Sequence, residues 1–406
     1  MKSSMGELQL EPYESGRKGK PDRIEAAMAH LIGAYLLEQD PNARFNVRVE
    51  GKYSAKDGKP MIIISGEVSE SLLTASLRDS IMDITVRYYT TVHRAQATPN
   101  DFVFAYLLNP QARPLAANGH AGDSGRAMAF AFRDAPGSLP WERYLAVGIR
   151  QLIDQIYQDG GAVPPDIMVK SGVYRIDGLC ADGKVDVGVL FDGPQLRAVK
   201  DITLSLEHES TLPLNELREK VSAVLAAYIW LLSETYKINL GNPEIVVNPG
   251  GAWNAGGWRI DAGSAEAKPH EDFFGNRGNM EDAPWGEDGT KPSGVGTLLA
   301  WHIARWVVVK ELAETARVVL TYRIGTSDVG LNITTGGTGN RPQNELEALV
   351  RRAIPLSLTE ATDAFQLRDP RTYQKIVDAM DWFINPDYPW NNPHLFSRSS
   401  SLLQPR

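Results

Sequence analysis

Apolar residues recur every three or four positions in three stretches of the chain, which is the spacing of one face of a helix. The first stretch runs from Ile24 to Glu38 and ends at the turn-forming sequence DPNAR (40–44). The pattern predicts an amphipathic helix there, a second helix from about Glu216 to Tyr236, and a third from about Val295 to Leu312.

Strands are predicted where apolar residues alternate with polar ones, or run without a break, between turn residues. The first pair is FNVRVEG (45–51) and MIIISGEVS (61–69). Similar segments follow in the middle and last thirds of the chain: SGVYRIDG (171–178), VDVGVLF (185–191), VKDITLSLE (199–207), WRID (258–261), RVVLTYRIG (317–325) and GLNIT (330–334).

The order of these elements predicts the fold class. Strands sit beside strands and helices follow them in three successive blocks, which favours an α+β fold over a doubly wound parallel sheet. A chain of 406 residues is also long for one core, so we predict domains at 1–118, 119–247 and 248–406. The Gly-, Asp- and Asn-rich span from Gly263 to Gly294 is predicted to be a functional or disordered loop rather than core.

Charge and cysteine content exclude several classes of protein. Lysine and arginine number 42 against 50 aspartates and glutamates, a formal net charge of −8, which argues against nucleic-acid binding through bulk positive charge. The single cysteine, Cys180, excludes an internal disulfide and a thiolate zinc cluster, and it fits a reducing, cytoplasmic location. Because no segment approaches about 18 uninterrupted apolar residues, we expect a soluble protein with no membrane partner.

Four local patterns contain residues that could carry chemistry. Each has an ordinary explanation, since glycine–aspartate pairs usually form turns and a lone lysine at a strand edge is usually solvated. No Walker A, GxGxxG or HExxH sequence occurs, so a phosphate site would have to be of another kind. The four patterns are GKPDR (19–23), with Asp22 at the start of a helix; GHAGDSGRAMAF (119–130); PPDIMVKSG (164–172), with Lys170 entering a strand; and NPGGAWNAGGWRIDAGSAEAK (248–268).

In their order along the chain, these patterns resemble the S-adenosylmethionine synthetase (methionine adenosyltransferase) family. GKPDR is similar to the family's GHPDK, SGEVS (65–69) to its GGEIT, and GDSG (122–125) to its GDQG. PPDIMVKSGV (164–173) is similar to RPDAKSQV, and NPGGAWNAGGWRIDAG (248–263) to NPTGRFVIGGPxGDxG. With LLEQDPNAR (36–44), TYRIG (321–325) and DYPWN (387–391), the resemblance runs from about residue 14 to residue 391.

The resemblance implies three similar α+β domains related by a pseudo-threefold axis, and a homodimer, or a tetramer, whose active sites lie between subunits. It implies that ATP and methionine, or a related small nucleophile, give a sulfonium product, with triphosphate cleaved to pyrophosphate and phosphate. A thioether sulfur needs no base, so the reaction requires alignment and a stabilised polyanionic leaving group. Mg²⁺ bridging phosphate oxygens, K⁺ and cationic side chains would supply that stabilisation.

The same resemblance assigns roles by position. Asp22 and Asp261 would serve magnesium or the nucleotide–methionine site, Glu67 the methionine ammonium, and Trp253 the adenine pocket. Glu50 is a candidate for the family's potassium-binding glutamate, although strict spacing puts Arg48 there. The full candidate set is Lys20, Lys170, Lys268 and Asp261 for catalysis; Glu67, Asp123, Trp253, Lys291 and Ala283 for substrate binding; and Asp22 and Glu50 for metals.

Several positions depart from the family pattern. The histidine before Pro–Asp is Lys20, and the family's arginine–lysine pair is Ala267–Lys268. In GEDGTKPS (286–293), which resembles GKDPSKVD, a lysine becomes Glu287 and an aspartate becomes Ser293, while Lys291 persists.

Reversing a charge beside a triphosphate is costly unless another cation compensates, and Lys20, Arg259 or Arg277 could do so. Three functions therefore stay open. The first is a divergent methionine adenosyltransferase, the second a related adenosyltransferase or triphosphatase with another acceptor, and the third a non-catalytic homologue.

Overall fold

The computed structural model describes residues 8–111, 121–133, 135–278 and 283–396. Within these residues the helices are α1 (Pro21–Gln39), α2 (Leu77–His93), α3 (Trp141–Gln158), α4 (Pro165–Ser171), α5 (Leu214–Tyr236), α6 (Pro269–Asp272), α7 (Thr297–Val309), α8 (Gln343–Ala353), α9 (Leu358–Ala364) and α10 (Pro370–Ala379). The strands are β1 (Gln9–Gly16), β2 (Phe45–Ser54), β3 (Lys59–Val68), β4 (Val103–Pro110), β5 (Gly125–Phe132), β6 (Leu179–Asp192), β7 (Gln195–His208), β8 (Glu244–Val247), β9 (Gly263–Ser264), β10 (Thr315–Tyr322) and β11 (Val329–Thr334).

The strands form three sheets, which confirms the predicted α+β class. Their orders are β1-β6-β7-β8, β4-β3-β2-β9 and β11-β10-β5. The sheets do not follow the predicted domain segments, because each takes one strand from another segment. Strand β1 joins β6, β9 joins β2, and β5 joins β10. The predicted domain boundaries stay predictions.

Helix α1 shows why the periodic stretches fold as predicted. Pro21 occupies its first turn, where the missing N–H costs nothing and the fixed φ suits a helix. Its apolar residues, including Ile24, Met28 and Ile32, are fully buried, and the helix packs against α10 and β2. The predicted helices that correspond to α5 and α7 are also confirmed.

Two predicted strands are wrong. Segment 171–178 forms only a single bridge, between Arg175 and Ala162, because Gly172 and Gly178 adopt positive φ values of 71° and 84° that interrupt extended backbone. Segment 258–261 is a turn rather than a strand, with one 3₁₀ turn at Gly257–Arg259. The apolar character of this segment comes from Trp258, which is buried, and not from pairing with a neighbouring strand.

The prediction that residues 263–294 lie outside the core is also wrong for the part that the structure describes. Phe273, Phe274 and Trp285 are buried to within 1% of full burial. The neighbouring carboxylates Glu271 and Asp272 are buried as well, and both pair with Arg23 of α1. Polar residues can enter the core when they are paired in this way, which composition alone does not reveal.

Within the described part of the chain, no helix is both long enough and apolar enough to cross a membrane.

Candidate active site

The polar face of β2 forms the centre of the candidate site. Side chains alternate along a strand, so Asn46, Arg48 and Glu50 point away from the fully buried Phe45 and Val47. Asn46 lies directly opposite Glu67 of β3 in the antiparallel register. Two carboxylates that were predicted separately, Glu50 and Glu67, therefore lie on one exposed face of one sheet.

Strand β9 connects this face to the beginning of α1. Ser264 pairs with Glu50, and its backbone N–H donates to Asp22 Oδ1 at 3.3 Å. The other oxygen of Asp22 accepts a hydrogen bond from Lys20 Nζ at 2.6 Å. The structure thus brings Lys20, Asp22 and Glu50 to the two sides of a single short strand.

Lys20 is held as a cation. Burial alone would lower the pKa of its amine, but the hydrogen bond to Asp22 and the charges of Asp22, Glu271 and Asp182 together raise it. Lys20 is also the N-cap residue of α1, where the helix presents free N–H groups. The first turn of α1 therefore combines a cationic side chain with a helix N-terminus, two features that favour an anion.

Lys268 belongs to a second charged cluster beside β1. Its Nζ lies 3.7 Å from Glu14 Oε1 and 3.6 Å from Glu271 Oε1. Glu271 also accepts from Arg23 at 2.8 Å, and although burial raises the pKa of Glu271, Arg23 and the other donors lower it overall. A cavity of about 380 Å³ opens beside Lys268, and Ala267 and His270 also line it.

The third cluster is the loop from Gly286 to Ser293. Lys291 Nζ lies 3.8 Å from a carboxylate oxygen of Asp123. Ser293 donates a hydrogen bond to Glu287, whose backbone forms a bridge with Asn46 of β2. Burial raises the pKa of Glu287 to about 7, and neither Ser293 nor Lys291 offsets this.

Four predicted residues lie apart from these clusters or are not free to reach them. The prediction that Lys170 enters a strand is wrong, because residues 165–171 form α4. The amine of Lys170 lies 3.7 Å from the centre of the Trp230 ring. Asp261 is exposed and accepts from its neighbour Ala262. The other two are Trp253, which donates to the carbonyl of Ala255, and Ala283, which is fully buried.

Sequence reasoning missed a buried carboxylate that holds the glycine-rich loop. Glu25 is fully buried, and its Oε1 accepts a hydrogen bond from the indole N–H of Trp258. Asp22 lies three residues before Glu25, so both carboxylates are on one face of α1. This spacing is the sequence feature that could have indicated Glu25. Its partner Trp258 is 233 residues away in the chain, and no local pattern indicates that pairing.

A second missed carboxylate fixes the loop's backbone. Asp182 accepts from the N–H groups of Gly257 and Gly183 at 2.7 Å and 2.6 Å. Burial raises its pKa to about 6 despite these donors. Gly256 must be glycine for this contact, because a Cβ there would lie 2.9 Å from Asp182.

Comparison with known proteins supports the resemblance that the motifs indicate. Residues 255–392 match the family model described as "S-adenosylmethionine synthetase, C-terminal domain". The S-adenosylmethionine synthase of Salinibacter ruber (strain DSM 13855 / M31) is 26% identical over 389 residues, which cover 93% of this chain and 94% of that protein. That of Mycoplasmopsis pulmonis (strain UAB CTIP) is 22% identical over 369 residues, covering 89% and 90%. These matches support the interpretation of the chain as a divergent relative of the S-adenosylmethionine synthetases.

Two departures from the S-adenosylmethionine synthetase pattern contact each other. The family's lysine and aspartate in this loop are Glu287 and Ser293, and the serine hydroxyl donates to the glutamate. A lysine–aspartate pair has no net charge, and neither does a serine with a protonated glutamate. Because the pKa of Glu287 is about 7, the charge of this pair depends on pH near neutrality.

The residues at the two expected metal positions differ in how well they suit Mg²⁺ and K⁺, the metals that the resemblance implies. Among the described residues, no three His, Cys, Asp or Glu side chains are grouped closely enough to hold a metal ion. Mg²⁺ commonly takes only one or two protein carboxylates and completes its shell with phosphates and water, so Asp22 fits that role. A carboxylate site for K⁺ does not fit, because the position given by strict spacing holds Arg48, which pairs with Glu266.

A cavity of about 740 Å³ lies elsewhere, between α1, α2, α3 and α10. As far as the structure describes this cavity, the predicted site residues do not line it.

Proposed function

We propose that the protein is a methionine adenosyltransferase that makes S-adenosylmethionine from ATP and methionine. The observation that carries this proposal is the connection of Lys20 and Asp22, through Ser264, to strand β2, whose Glu50 lies on the same sheet face as Glu67 of β3. Cations and carboxylates of the kinds needed for a polyphosphate and an ammonium group thus lie around the edge of one sheet where β9 pairs with β2.

The chemistry is a displacement at the ribose C5′. A lone pair of the methionine sulfur forms the new S–C5′ bond, and the C5′–O bond breaks with its electron pair going to the triphosphate. Water then hydrolyses a phosphoanhydride bond of the triphosphate, which gives pyrophosphate and phosphate. No proton needs to be removed from the sulfur, so positioning and charge stabilisation account for the catalysis.

In this proposal Lys20, Lys268 and Lys291 face the polyphosphate and stabilise its developing negative charge. Asp22 would hold Mg²⁺, which would supply positive charge to the polyphosphate, and Glu67 binds the methionine ammonium. Lys170, Asp261, Asp123 and Trp253 keep the roles that the family resemblance gives them, as residues brought into the site from the same or the second subunit.

A homodimer is part of the proposal. The face of β2 and β3 is open in one chain, and β4 places Leu107 beside Ser65 on that face with 60% of its surface exposed. An exposed large apolar side chain next to charged site residues is what a subunit interface would cover. A second subunit over this face would enclose the site and exclude water from it.

A second candidate function is a related enzyme that cleaves ATP but uses another acceptor or none. Glu287 favours it, because a carboxylate replaces a lysine in the loop that also carries Lys291. Incubating the protein with ATP, Mg²⁺ and K⁺, with and without methionine, and identifying every product by mass distinguishes the two. S-adenosylmethionine formed only with methionine supports the proposal, whereas phosphate release without a sulfonium product supports the second candidate.

Asp22→Asn is the matched test that the products arise in this site. The amide keeps the shape of the side chain but loses the charge that pairs with Lys20. We expect product formation to fall by about a hundredfold or more, which corresponds to about 3 kcal/mol of transition-state stabilisation. Lys237→Ala, at the exposed end of α5 and away from these clusters, is the control and should keep wild-type activity.

A further inference from the structure

Arg48 stands where strict spacing places the potassium-binding glutamate that the family resemblance implies. Its guanidinium Nη1 lies 2.7 Å from Glu266 Oε2, with half of the Arg48 side chain exposed and only 16% of Glu266 exposed. The position where a carboxylate is expected therefore holds a cation, Arg48, and the carboxylate belongs to its partner, Glu266.

The Arg48–Glu266 pair lies inside the candidate site. Arg48 is on the polar face of β2 between Asn46 and Glu50, and Glu266 follows Ser264, which bonds Asp22. The N–H of Ala265 donates to the carbonyl of Val49 at 3.0 Å, which holds this loop against the strand. The ion pair thus joins β2 to the segment that leads into Ala267 and Lys268.

The charge of Glu266 also acts on Glu287, which belongs to the third cluster. Its negative charge is one of the causes that raise the pKa of Glu287, so the two carboxylates are close enough to interact. Arg48 is the cation that pairs with Glu266, and a guanidinium cannot be deprotonated at any working pH. Its charge is a fixed part of the chain, and that charge would repel a monovalent cation at the same place.

We propose that the Arg48–Glu266 ion pair takes the place of a bound monovalent cation, so that the protein binds nucleotide without K⁺. The inference deepens the proposed function and rests on it for the identity of the site. It adds that Arg48 is a positioning residue: it holds the loop after β9 against β2 and fixes a positive charge there.

The first measurement uses the wild-type protein. Its affinity for the non-hydrolysable analogue in which NH bridges the β and γ phosphates is measured by calorimetry with Mg²⁺, in KCl, NaCl or tetramethylammonium chloride at one ionic strength. We expect dissociation constants that agree within about twofold, and the same thermal midpoint in all three salts. An affinity about tenfold tighter in KCl alone would overturn the inference.

Arg48→Glu is the sharper variant, because it restores a carboxylate opposite Glu266. Two facing carboxylates should now need a counter-ion, so the thermal midpoint should rise by several degrees in KCl relative to tetramethylammonium chloride. An Arg48→Glu midpoint that ignores K⁺ would count against the inference. Because this readout needs no nucleotide, it decides the matter even if wild type binds no nucleotide, a result that would instead refute the proposed function.

Arg48→Ala covers the case in which the charge-reversed variant does not fold. We expect its affinity for the analogue to fall about tenfold and to recover in part when millimolar guanidinium or K⁺ is added. Lys52→Ala is the control on the same strand and should show neither the loss nor the recovery. Full wild-type affinity in Arg48→Ala, without any added cation, would contradict the role given to Arg48.

Discussion

At the scale of single residues, the site is defined by how each charge is partnered. Lys20 donates a hydrogen bond to Asp22, which helps to raise the pKa of the lysine, whereas Glu287 is buried beside a hydroxyl and a lysine that do not fully compensate its charge. Removing a member of the first pair leaves a buried charge without its partner, and neutralising Glu287 removes an unfavourable charge. The two positions should therefore respond to substitution in opposite directions.

Lys20→Ala should lower both activity and stability. Activity should fall by about a hundredfold, because a cation facing the polyphosphate is lost, and the free energy of unfolding should drop by about 1–3 kcal/mol, because Asp22 loses its hydrogen-bond donor. Lys20→Arg keeps the charge and should keep most of the stability. Steady-state kinetics and urea unfolding of both variants test this, and an active Lys20→Ala enzyme would show that the pair is structural only.

Glu287 should make stability depend on pH. Its pKa is about 7 in the folded protein against 4.5 when unfolded, so the folded state holds the proton more tightly. Stability is then greatest below the unfolded pKa and declines as pH rises toward 7, by about 3 kcal/mol in all. Glu287→Gln removes this decline and should be more stable than wild type at pH 8 but not at pH 5. Equal differences in unfolding free energy at both pH values would disprove the assignment.

At the scale of elements, local periodicity predicted what is local. Helix α1 and strands β2 and β3 follow from their own residues, and so does the position of Lys20 and Asp22 at a helix start. The burial of segment 263–278 could not be predicted, because the partner that neutralises Glu271 and Asp272 is Arg23, about 250 positions earlier. The Arg48–Glu266 and Glu25–Trp258 contacts could not be predicted either, because the two residues of each pair are far apart in the sequence.

The packing of β9 against α1 gives a test at this scale. A Cβ on Gly263 would lie 2.1 Å from Glu25 Oε2 and 2.5 Å from the backbone of Pro21. Gly263→Ala should therefore destabilise the protein by about 1–3 kcal/mol or more, since neither helix backbone nor buried carboxylate can move freely. Gly250→Ala in the same glycine-rich segment, where a Cβ meets no described atom within 4 Å, is the control. Urea unfolding should separate the two variants clearly.

At the scale of the whole molecule, the open face of the β4-β3-β2-β9 sheet argues for a second subunit. One side of this sheet packs into the core through Phe45, Val47 and Val49, and the other carries Arg48, Glu67 and the exposed Leu107. Charged groups that must act on a polyphosphate work best when water is excluded, and one chain leaves them open to solvent. The predicted homodimer would close this face.

Leu107→Asp tests whether that face is the interface. An obligate interface of this kind buries more than about 2,000 Å² of surface, and a carboxylate at its apolar position would be desolvated without a partner. We expect wild type to sediment as a dimer at micromolar concentration, and Leu107→Asp to shift toward monomer and lose activity together. Val309→Asp, at the exposed end of α7, should remain dimeric and active. A wild-type monomer that is fully active would contradict the shared site, because the residues on β2 would then have to work on a surface open to water.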